Sequence, residues 1–407
     1  MIRVIVYIIT ICLGLLSNGV FATVTVKNAV SFSTALQNSN DGDSIILKKG
    51  VYQLSNINIT KSISIIGEDG TIIDGGGDAI FVLSAPNILI ESISFRNVGV
   101  SYIQELSAIR ILKTKNCCIS NNKFVNCFFA IYVERSDSCT ITNNTIHGES
   151  STEASSGNAI HLWYSNYAII KNNYTRSHRD GVYLEFVTHS IIENNISEKN
   201  LRYGLHFMFS HDNVYRYNEF RNNSAGVAVM YSENVTMIAN KFIDNWGSNC
   251  YGLLLKDIRR STLTQNEFIR NTVGIHLDNA LDLQIDSNQF TDNGWAVRIM
   301  SNSYDNQISY NNFIDNTFEF TTTGKHNINQ VDNNYWSSYS GYDINKDGIG
   351  DIPHRPVSLF SYIISTSQAS IILLRSLFIE LLNFAERVVP VFTPETLSDK
   401  SPLIKPV

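Results

Sequence analysis

Residues 226–245 have the sequence GVAVMYSENVTMIANKFIDN, and residues 252–271, GLLLKDIRRSTLTQNEFIRN, repeat its pattern. Each stretch begins with glycine and alternating apolar residues, and about three quarters of the way along it carries an asparagine two residues before a phenylalanine. Because the apolar residues alternate with a period of two rather than three or four, the pattern predicts short β-strands. Two such strands in about 22 residues indicate one unit of a solenoid.

The same unit extends in both directions from this stretch. Its asparagine recurs at Asn122, Asn144, Asn172, Asn194, Asn218, Asn240, Asn266, Asn288 and Asn311. The spacing is too short for propeller blades and the leucine-rich signature is missing, so we predict an all-β solenoid, a parallel β-helix over residues 23–336. We expect these asparagines to occupy left-handed turn positions and to stack their amides from coil to coil.

Composition narrows the class of protein further. The chain has 407 residues, 43 % of them hydrophobic, only 7 prolines and a formal net charge of −6. This composition favours a folded body over disorder, and without a run of lysine and arginine it excludes a nucleic-acid partner.

The N-terminus has the features of an export signal. Arg3 precedes an apolar run over residues 4–16, and small residues end the segment at Ala22. We therefore predict a signal peptide over residues 1–22 and a mature chain outside the cytoplasm. The mature chain would hold five cysteines, expected as buried free thiols, with a disulfide or a metal role as the alternative: Cys117, Cys118, Cys127, Cys139 and Cys250.

Several stretches carry a resemblance to a known family. They are RDGVYLE at 179–185, GLHFMF at 204–209, VMYS at 229–232, GYDINKDGIGDIPHRP at 341–356, and the tail over 374–406. In these the chain resembles the NosD family, the periplasmic maturation proteins of nitrous oxide reductase. The resemblance implies a right-handed β-helix and a non-enzymatic accessory subunit that a permease holds at the inner membrane. It also implies an ATPase, a copper-chaperone lipoprotein and nitrous oxide reductase as partners, and copper delivery to the tetranuclear site.

Alignment of the repeats places side chains in columns along one sheet, because successive coils stack about 4.8 Å apart. On this basis His206, Met208 and Met230 point outward from two adjacent coils. Two thioethers and an imidazole favour Cu(I), so we predict a transient Cu(I) site there. The alternatives are methionines that pack under a partner or lie idle on the surface. His161 and His276 fall too far along the column to share the ion.

Two other functions use the same columns. Tyr132, Trp163 and Tyr183 could stack sugars, and Glu134 and Glu185 share a column, as in a carbohydrate-active glycosidase or lyase acting on a polysaccharide. However, the two carboxylates lie two coils apart, at the outer limit for an inverting pair. The other alternative is a surface or adhesion β-helix without chemistry.

After Trp336 the repeat stops, and residues 337–358 form an Asp-rich segment that we predict to cap the solenoid. Oxygen-bearing side chains alternate there, as at the start of a Ca²⁺ loop. The candidate Ca²⁺ ligands are Asp343, Asn345, Asp347 and Asp351. The twelfth position is His354 rather than an acid, which excludes an EF-hand and leaves a metal-free turn as the alternative.

Residues 359–407 are predicted to dock a partner, and the alternative is that the apolar stripe of their helix caps the open end of the solenoid. Helical spacing from Ser365 to Val389, with Ser367 as N-cap and Pro390 as stop, predicts one amphipathic helix that is too charged to span a membrane. An extended arm follows. The candidate docking residues are Leu374, Phe378, Leu381, Leu382, Pro394 and Leu397. The family resemblance points to the exported surface of the permease as their partner.

Overall fold

The fold is a parallel β-helix in a computed structural model that describes residues 21–101, 103–149, 151–323, 328–374, 376–388 and 397–407. Three parallel sheets run along its length, and each coil contributes one strand to each sheet. The predicted all-β solenoid is therefore confirmed, with about 13 coils. All but the last two residues of the predicted signal peptide, residues 1–22, lie outside the described residues.

The strands follow in chain order within each sheet. The fourteen described strands of sheet 1 are Thr23–Val26, Ser44–Leu47, Ser64–Gly67, Leu89–Glu91, Cys118–Ser120, Thr140–Thr142, Ile169–Lys171, Ile191–Glu193, Val214–Arg216, Thr236–Ile238, Thr262–Thr264, Gln284–Asp286, Gln307–Ser309 and Gln330–Asp332. The twelve described strands of sheet 2 are Ile57–Ile59, Phe81–Leu83, Ser107–Leu112, Phe129–Glu134, Ile160–Trp163, Asp180–Glu185, Tyr203–Met208, Ala225–Glu233, Tyr251–Arg259, Val273–Leu281, Trp295–Ile299 and Phe318–Thr322. The thirteen described strands of sheet 3 are Gly50–Gln53, Thr71–Asp74, Ser94–Val98, Lys123–Cys127, Thr145–His147, Tyr174–Arg176, Ile196–Glu198, Glu219–Arg221, Lys241–Ile243, Glu267–Ile269, Gln289–Thr291, Asn312–Ile314 and Tyr335–Trp336.

An asparagine ladder runs through the interior between sheets 1 and 3. Each side-chain amide except the last donates to the amide oxygen of the next coil and to a backbone carbonyl. Asn240, for example, donates to Asn266 Oδ1 and to Tyr215 O, both at 3.0 Å. The ladder residues are Asn122, Asn144, Asn173, Asn195, Asn218, Asn240, Asn266, Asn288, Asn311 and Asn334. It satisfies buried turn backbone that no strand can pair.

Two details of the predicted ladder are wrong. In two coils the expected residues, Asn172 and Asn194, are replaced in the ladder by the following Asn173 and Asn195. Asn172 and Asn194 instead take the left-handed backbone, each with φ 55°. In these turns the left-handed backbone and the inward-pointing amide therefore belong to two successive residues. The first residue has the left-handed backbone, and the second supplies the ladder amide.

The interior of the solenoid is filled with apolar side chains, including a stack of aromatic rings. Phe242, Phe268 and Phe290 lie face to face with ring centroids 4.6 and 4.8 Å apart. Helix α1 (Ala29–Asn38) closes the N-terminal end with Phe32, which stacks on Phe81. The five cysteines of the predicted mature chain are free thiols, and four of them are buried.

The predicted single helix from Ser365 to Val389 is wrong. The structure has α2 (Leu359–Thr366), a 3₁₀ helix (Gln368–Leu373) and α3 (Leu377–Val388). Ser358 caps α2, whereas Ser367, the expected N-cap, ends it. Because the chain breaks there, α2 and α3 fold back on one another, and Phe360, Ile364 and Ile379 form a second small core with Phe318 of the last coil.

Residues 397–407 pack against the last coil. Asp399 is fully buried and ends the asparagine ladder, since its carboxylate accepts hydrogen bonds from Asn334 N and from Trp336 Nε1 at 2.9 and 3.0 Å. Leu403 bridges to Tyr335. An open solenoid end exposes unpaired backbone and core. The described part of the predicted arm therefore covers the C-terminal end of the β-helix.

Candidate functional site

The candidate site lies on the outer face of sheet 2, where the strand Tyr203–Met208 pairs with Ala225–Glu233. The register places His206 beside Ala228 and Met208 beside Met230. The predicted columns are thus present, and the two methionines occupy equivalent positions of adjacent coils. Both methionine side chains are half-buried.

The His206 column is buried, although the sequence predicted an outward-facing surface. His206 is 5 % exposed, because Tyr183 stacks on its ring at 4.6 Å and Tyr203 contacts it at 4.7 Å. Tyr132 and His161 continue the stack and are buried as well. Rings on neighbouring coils therefore cover one another and exclude water from a face that alternation alone would leave wet.

A buried ion pair adjoins the His206 ring. Asp180 is fully buried, and Arg202 donates to both of its oxygens at 3.1 and 2.7 Å. His206 Nδ1 lies 3.4 Å from the Arg202 guanidinium and 3.7 Å from Asp180 Oδ2. Burial raises the pKa of Asp180, but His206 and Arg202 outweigh it and hold that pKa below its ordinary value. The pair therefore stays charged beside the imidazole.

The other ring nitrogen of His206 has no such neighbour. Within the described residues, nothing hydrogen-bonds its buried Nε2 atom. Burial lowers the pKa of His206 below its ordinary value, against the opposing effect of Asp180, so the imidazole is neutral near pH 7. A neutral imidazole with an unpartnered nitrogen is a metal ligand when the opposite nitrogen carries the proton.

Asp180 and Arg202 were missed by the sequence analysis. Asp180 lies within the 179–185 stretch that carries the family resemblance, so a signal was present. Its role depends on Arg202 of the next coil, 22 residues away, and on the side-chain packing that buries Asp180. Neither follows from the repeat.

An aromatic ladder stands directly beside the methionines, at the turn that follows them. Its four rings are stacked at 4.5, 5.1 and 4.9 Å and belong to Tyr164, Phe186, Phe209 and Tyr231. All four have a left-handed backbone, with φ between 47° and 54°. This conformation costs a bulky residue roughly 1–2 kcal/mol. Three of the rings are substantially exposed, so the strained positions hold aromatic edges at the surface.

The other two histidines of the column are separate from the candidate copper ligands, as expected. Burial lowers the pKa of His161 to about 3 and that of His276 to about 4. His161 Nδ1 lies 3.4 Å from the amide of Asn158. Tyr183 stands between His161 and His206.

Glu134 and Glu185, the two carboxylates that a glycosidase or lyase would use, do not form a pair. Glu134 is ion-paired with Arg110 of the preceding coil. Trp163 separates it from Glu185, since the register runs from Glu134 to Trp163 to Glu185. Burial raises the pKa of Glu185, which lies beside Met208.

The four oxygen ligands of the predicted Ca²⁺ loop serve as turn caps. Asp343 accepts from Gly348 N at 3.0 Å, Asp347 from Ile349 N at 2.8 Å, and Asp351 from Ile344 N at 2.7 Å. Asn345 accepts from Asp347 N. The loop has the hydrogen bonds of a series of Asx turns. Nowhere in the described parts of the chain do three or more His, Cys, Asp and Glu side chains form a group that could hold a metal ion.

The predicted docking residues divide into two groups. Phe378 and Leu381 are each 58 % exposed on α3. Leu374 and Leu382 are partly buried against the second core, and Leu397 lies in the main core at 4 % exposure, so the chain itself covers Leu397. Pro394 lies outside the described residues. Among the described helices, none is long and apolar enough to cross a membrane.

The fold and this face define a parallel β-helix protein with soft potential ligands on one sheet. A family model for "Periplasmic copper-binding protein (NosD)" matches residues 146–347. A "Probable ABC transporter binding protein NosD" of Pseudomonas aeruginosa is 30 % identical over 370 residues, 86 % of each chain. Another of the same name, from Stutzerimonas stutzeri, is 28 % identical over 88 % of this chain and 86 % of its own. The chain belongs to the NosD family.

Solved structures of other β-helices match the fold. A Yersinia enterocolitica family 28 exopolygalacturonase has a TM-score of 0.57 at 10 % identity, over 79 % of each chain. An alginate lyase from Paenibacillus has a TM-score of 0.52 at 14 % identity, over 60 % of this chain and 94 % of its own. At such identities the likeness concerns the fold alone.

Proposed function

We propose that this protein is a non-catalytic periplasmic accessory subunit of an ABC transporter, and that it holds Cu(I) transiently during maturation of the tetranuclear site of nitrous oxide reductase. The observation that carries the proposal is the unpartnered Nε2 of His206, on the same strand as Met208, whose strand partner on the next coil is Met230. The family description and the names of the relatives support copper and the transporter.

The donor set determines which ion would be held. Thioether sulfur and neutral imidazole are soft ligands that suit Cu(I), whereas Zn²⁺ sites add thiolate or carboxylate and Mg²⁺ takes oxygen. Met208 and Met230 would supply sulfur and His206 nitrogen. Because these are only three ligands and the two methionine side chains are half-buried, a protein that delivers or receives copper could add the next one.

The charged pair beside His206 has a positioning role in this proposal. Cu(I) at Nε2 requires the tautomer with the proton on Nδ1, and the negative charge of Asp180 favours that tautomer. Arg202 opposes it when its guanidinium donates to Nδ1. Since Arg202 is held by both oxygens of Asp180, the carboxylate restrains the residue that would otherwise block the site.

The exposed side of α3, with Phe378 and Leu381, would face the permease. Copper would reach the site from a chaperone lipoprotein, and the ATPase would drive the complex. Here the solenoid is a platform that holds the copper-binding face away from the membrane.

The test is anaerobic Cu(I) binding, measured by competition with a chromogenic Cu(I) chelator. We expect one Cu(I) per protein, with sulfur scattering in the X-ray absorption spectrum. Met208→Leu/Met230→Leu should lower the affinity at least about tenfold, because Leu keeps the volume but removes sulfur. Met300→Leu is the matched control, at the residue that directly follows the strand Trp295–Ile299 of the same sheet. Equal affinity for the double variant and the wild type would refute the site.

A cellular measurement tests the wider role. A strain that carries the double variant should contain nitrous oxide reductase deficient in its tetranuclear site, and the Met300→Leu strain should not. Fully copper-loaded reductase in the double-variant strain, with folded variant protein present, would contradict the proposal.

A further inference from the structure

Arg298 is a half-buried cation without an acidic partner. It points outward from the strand Trp295–Ile299, near the C-terminal end of sheet 2. In the described parts of the chain, no carboxylate pairs with its guanidinium and no oxygen accepts a hydrogen bond from it. Half-buried arginines elsewhere on the solenoid, such as Arg202 and Arg216, do hold a carboxylate. Arg298 therefore has the charge and the burial of an ion pair but lacks the anion.

An aromatic ring holds this guanidinium in place. The central carbon of the guanidinium lies 4.7 Å from the centroid of the Trp295 ring. Trp295 itself is fixed, because Phe318 stacks on it at 5.4 Å and it packs against the second core. A cation–π contact stabilises the positive charge, but it gives the N–H groups no oxygen acceptor. The arginine is thus positioned by its ring contact, with its hydrogen-bond donors left for a ligand.

The groups next to Arg298 do not neutralise its charge. His276, its strand partner on the preceding coil, is neutral near pH 7, because burial lowers its pKa to about 4. Tyr251 contacts the His276 ring at 5.1 Å and is half-buried. Burial lowers the pKa of Arg298 below its ordinary value, and the nearby Tyr251 phenol opposes this effect. The guanidinium is therefore a partly desolvated single positive charge.

We propose that Arg298 binds the carboxylate of a ligand through the N–H groups of its guanidinium. The planar fork of donors matches the two oxygens of a carboxylate, and such charge-assisted hydrogen bonds are stronger where water is partly excluded. One cation among neutral groups matches one negative charge, which favours a carboxylate over a doubly charged phosphate. The rings of Trp295 and Tyr251 would lie beside the apolar part of the ligand.

Arg135 is a matched arginine that separates the effect of burial from that of the ring contact. Its guanidinium lies over the Trp163 ring at 5.0 Å, and no carboxylate of the described residues pairs with it. Arg135 is exposed, however, so water and salt screen its charge. A ligand that requires a partly desolvated guanidinium should therefore bind at Arg298 and not at Arg135.

The test is an NMR titration of the full ¹⁵N-labelled protein with sodium acetate, with acetyl-alanyl-alanine, and with the C-terminal amide of that peptide. The Arg298 Nε–H signal, assigned by its loss in Arg298→Gln, should shift with both carboxylates and not with the amide. Arg298→Lys keeps the charge but loses the fork, so binding followed at the Trp295 indole signal should weaken about tenfold. Arg135→Gln is the control and should bind like the wild type, with the folding of every variant checked by circular dichroism.

The two carboxylates distinguish the sources of the ligand. Tighter binding of the peptide supports a polypeptide carboxylate, and equal binding supports a small free one. The proposal is overturned if neither carboxylate shifts the signal, if sodium phosphate binds more tightly than both, or if Arg298→Lys binds like the wild type. Arg298 lies three coils beyond Met230, so Arg298→Gln should keep full Cu(I) affinity. The outcome is therefore independent of copper binding.

Discussion

The inside and the outside of the same coils follow different rules. Inside, ten asparagines from Asn122 to Asn334 repeat one hydrogen-bond pattern, and phenylalanine stacks on phenylalanine. On the outer face of sheet 2, successive coils place Tyr183, His206 and Ala228 at one position. Because the fold requires only the periodic interior, the outer face is free to vary, and its departures from the repeat are where a specific function can reside.

The interior should be the most sensitive to substitution. Asn240→Ala removes the partners of Tyr215 O, Asn218 N and the Asn218 amide, all buried. Each orphaned buried group costs about 1–3 kcal/mol, so we expect the free energy of unfolding to fall by roughly 3 kcal/mol or more. Denaturant unfolding measures this. Lys241→Ala, at the next residue, is the exposed control and should change it by less than about 1 kcal/mol. Equal losses would show that the ladder does not hold the coils together.

An effect that is smaller for each pH unit is expected from pH at the buried outer face. The pKa of His161 is lowered to about 3, so the folded protein keeps this imidazole neutral where the unfolded chain protonates it, below pH 6.5. The unfolded state then binds more protons, and stability falls as the pH falls from 6.5 towards 3, by about 1.4 kcal/mol per pH unit for this residue.

His161→Phe isolates that effect. Its ring can stay in the stack between Tyr132 and Tyr183, while the titrating group is lost. Denaturant unfolding at pH 7.0 and at mildly acid pH should show a shallower pH dependence for the variant than for the wild type. An unchanged slope would mean that His161 is not buried neutral.

The repeat in the sequence predicts the periodic backbone of the coils, but not the side-chain packing on their outer face. The strands, the parallel register and the pairing of Met208 with Met230 follow from a period of two and a repeat of about 22 residues, because every coil must meet the same backbone geometry. The burial of His206 and the Asp180–Arg202 pair do not follow, since they depend on which side chains of neighbouring coils cover each other.

The choice of ladder asparagine and the C-terminal end of the solenoid were less predictable for other reasons. Both Asn172 and Asn173 suit a turn, so the sequence alone did not select the inward one. At the C-terminus, the helical spacing ran through Ser367 without a Gly or Pro to mark the break. Leu397 and Asp399 contact the last coil from more than 60 residues away, which no local pattern reports.

The charged pair beside His206 gives a test of intermediate size at the functional face. Asp180→Asn frees Arg202 to donate to His206 Nδ1, which moves the imidazole proton to Nε2 and blocks that ligand. We expect Cu(I) affinity to fall about tenfold, as for other residues that orient a metal-binding histidine. Asp244→Asn, which breaks an Asp–Arg pair with Arg270 at an exposed turn, is the matched control. Unchanged affinity in a folded Asp180→Asn variant would remove Asp180 from the site.

The smallest effect on stability is expected on α3, where the exposed face should matter to a partner and not to the fold. Phe378 and Leu381 are mostly exposed, so Phe378→Ser/Leu381→Ser should change the free energy of unfolding by less than about 0.5 kcal/mol. Ile379→Ser, one residue away but 5 % exposed, should cost about 3 kcal/mol.

Co-purification with the partner proteins shows whether the exposed side of α3 is a docking face. When the protein is co-expressed with the permease and the ATPase, the Phe378→Ser/Leu381→Ser variant should co-purify with them at a small fraction of the wild-type yield. Ile103→Ser, which changes an apolar side chain that is 92 % exposed on the solenoid, is the control and should co-purify normally. Because the double variant keeps its stability, a loss confined to it would reflect a lost interface. Co-purification at the wild-type level would place the permease contact elsewhere and leave the exposed side of α3 without a role in docking.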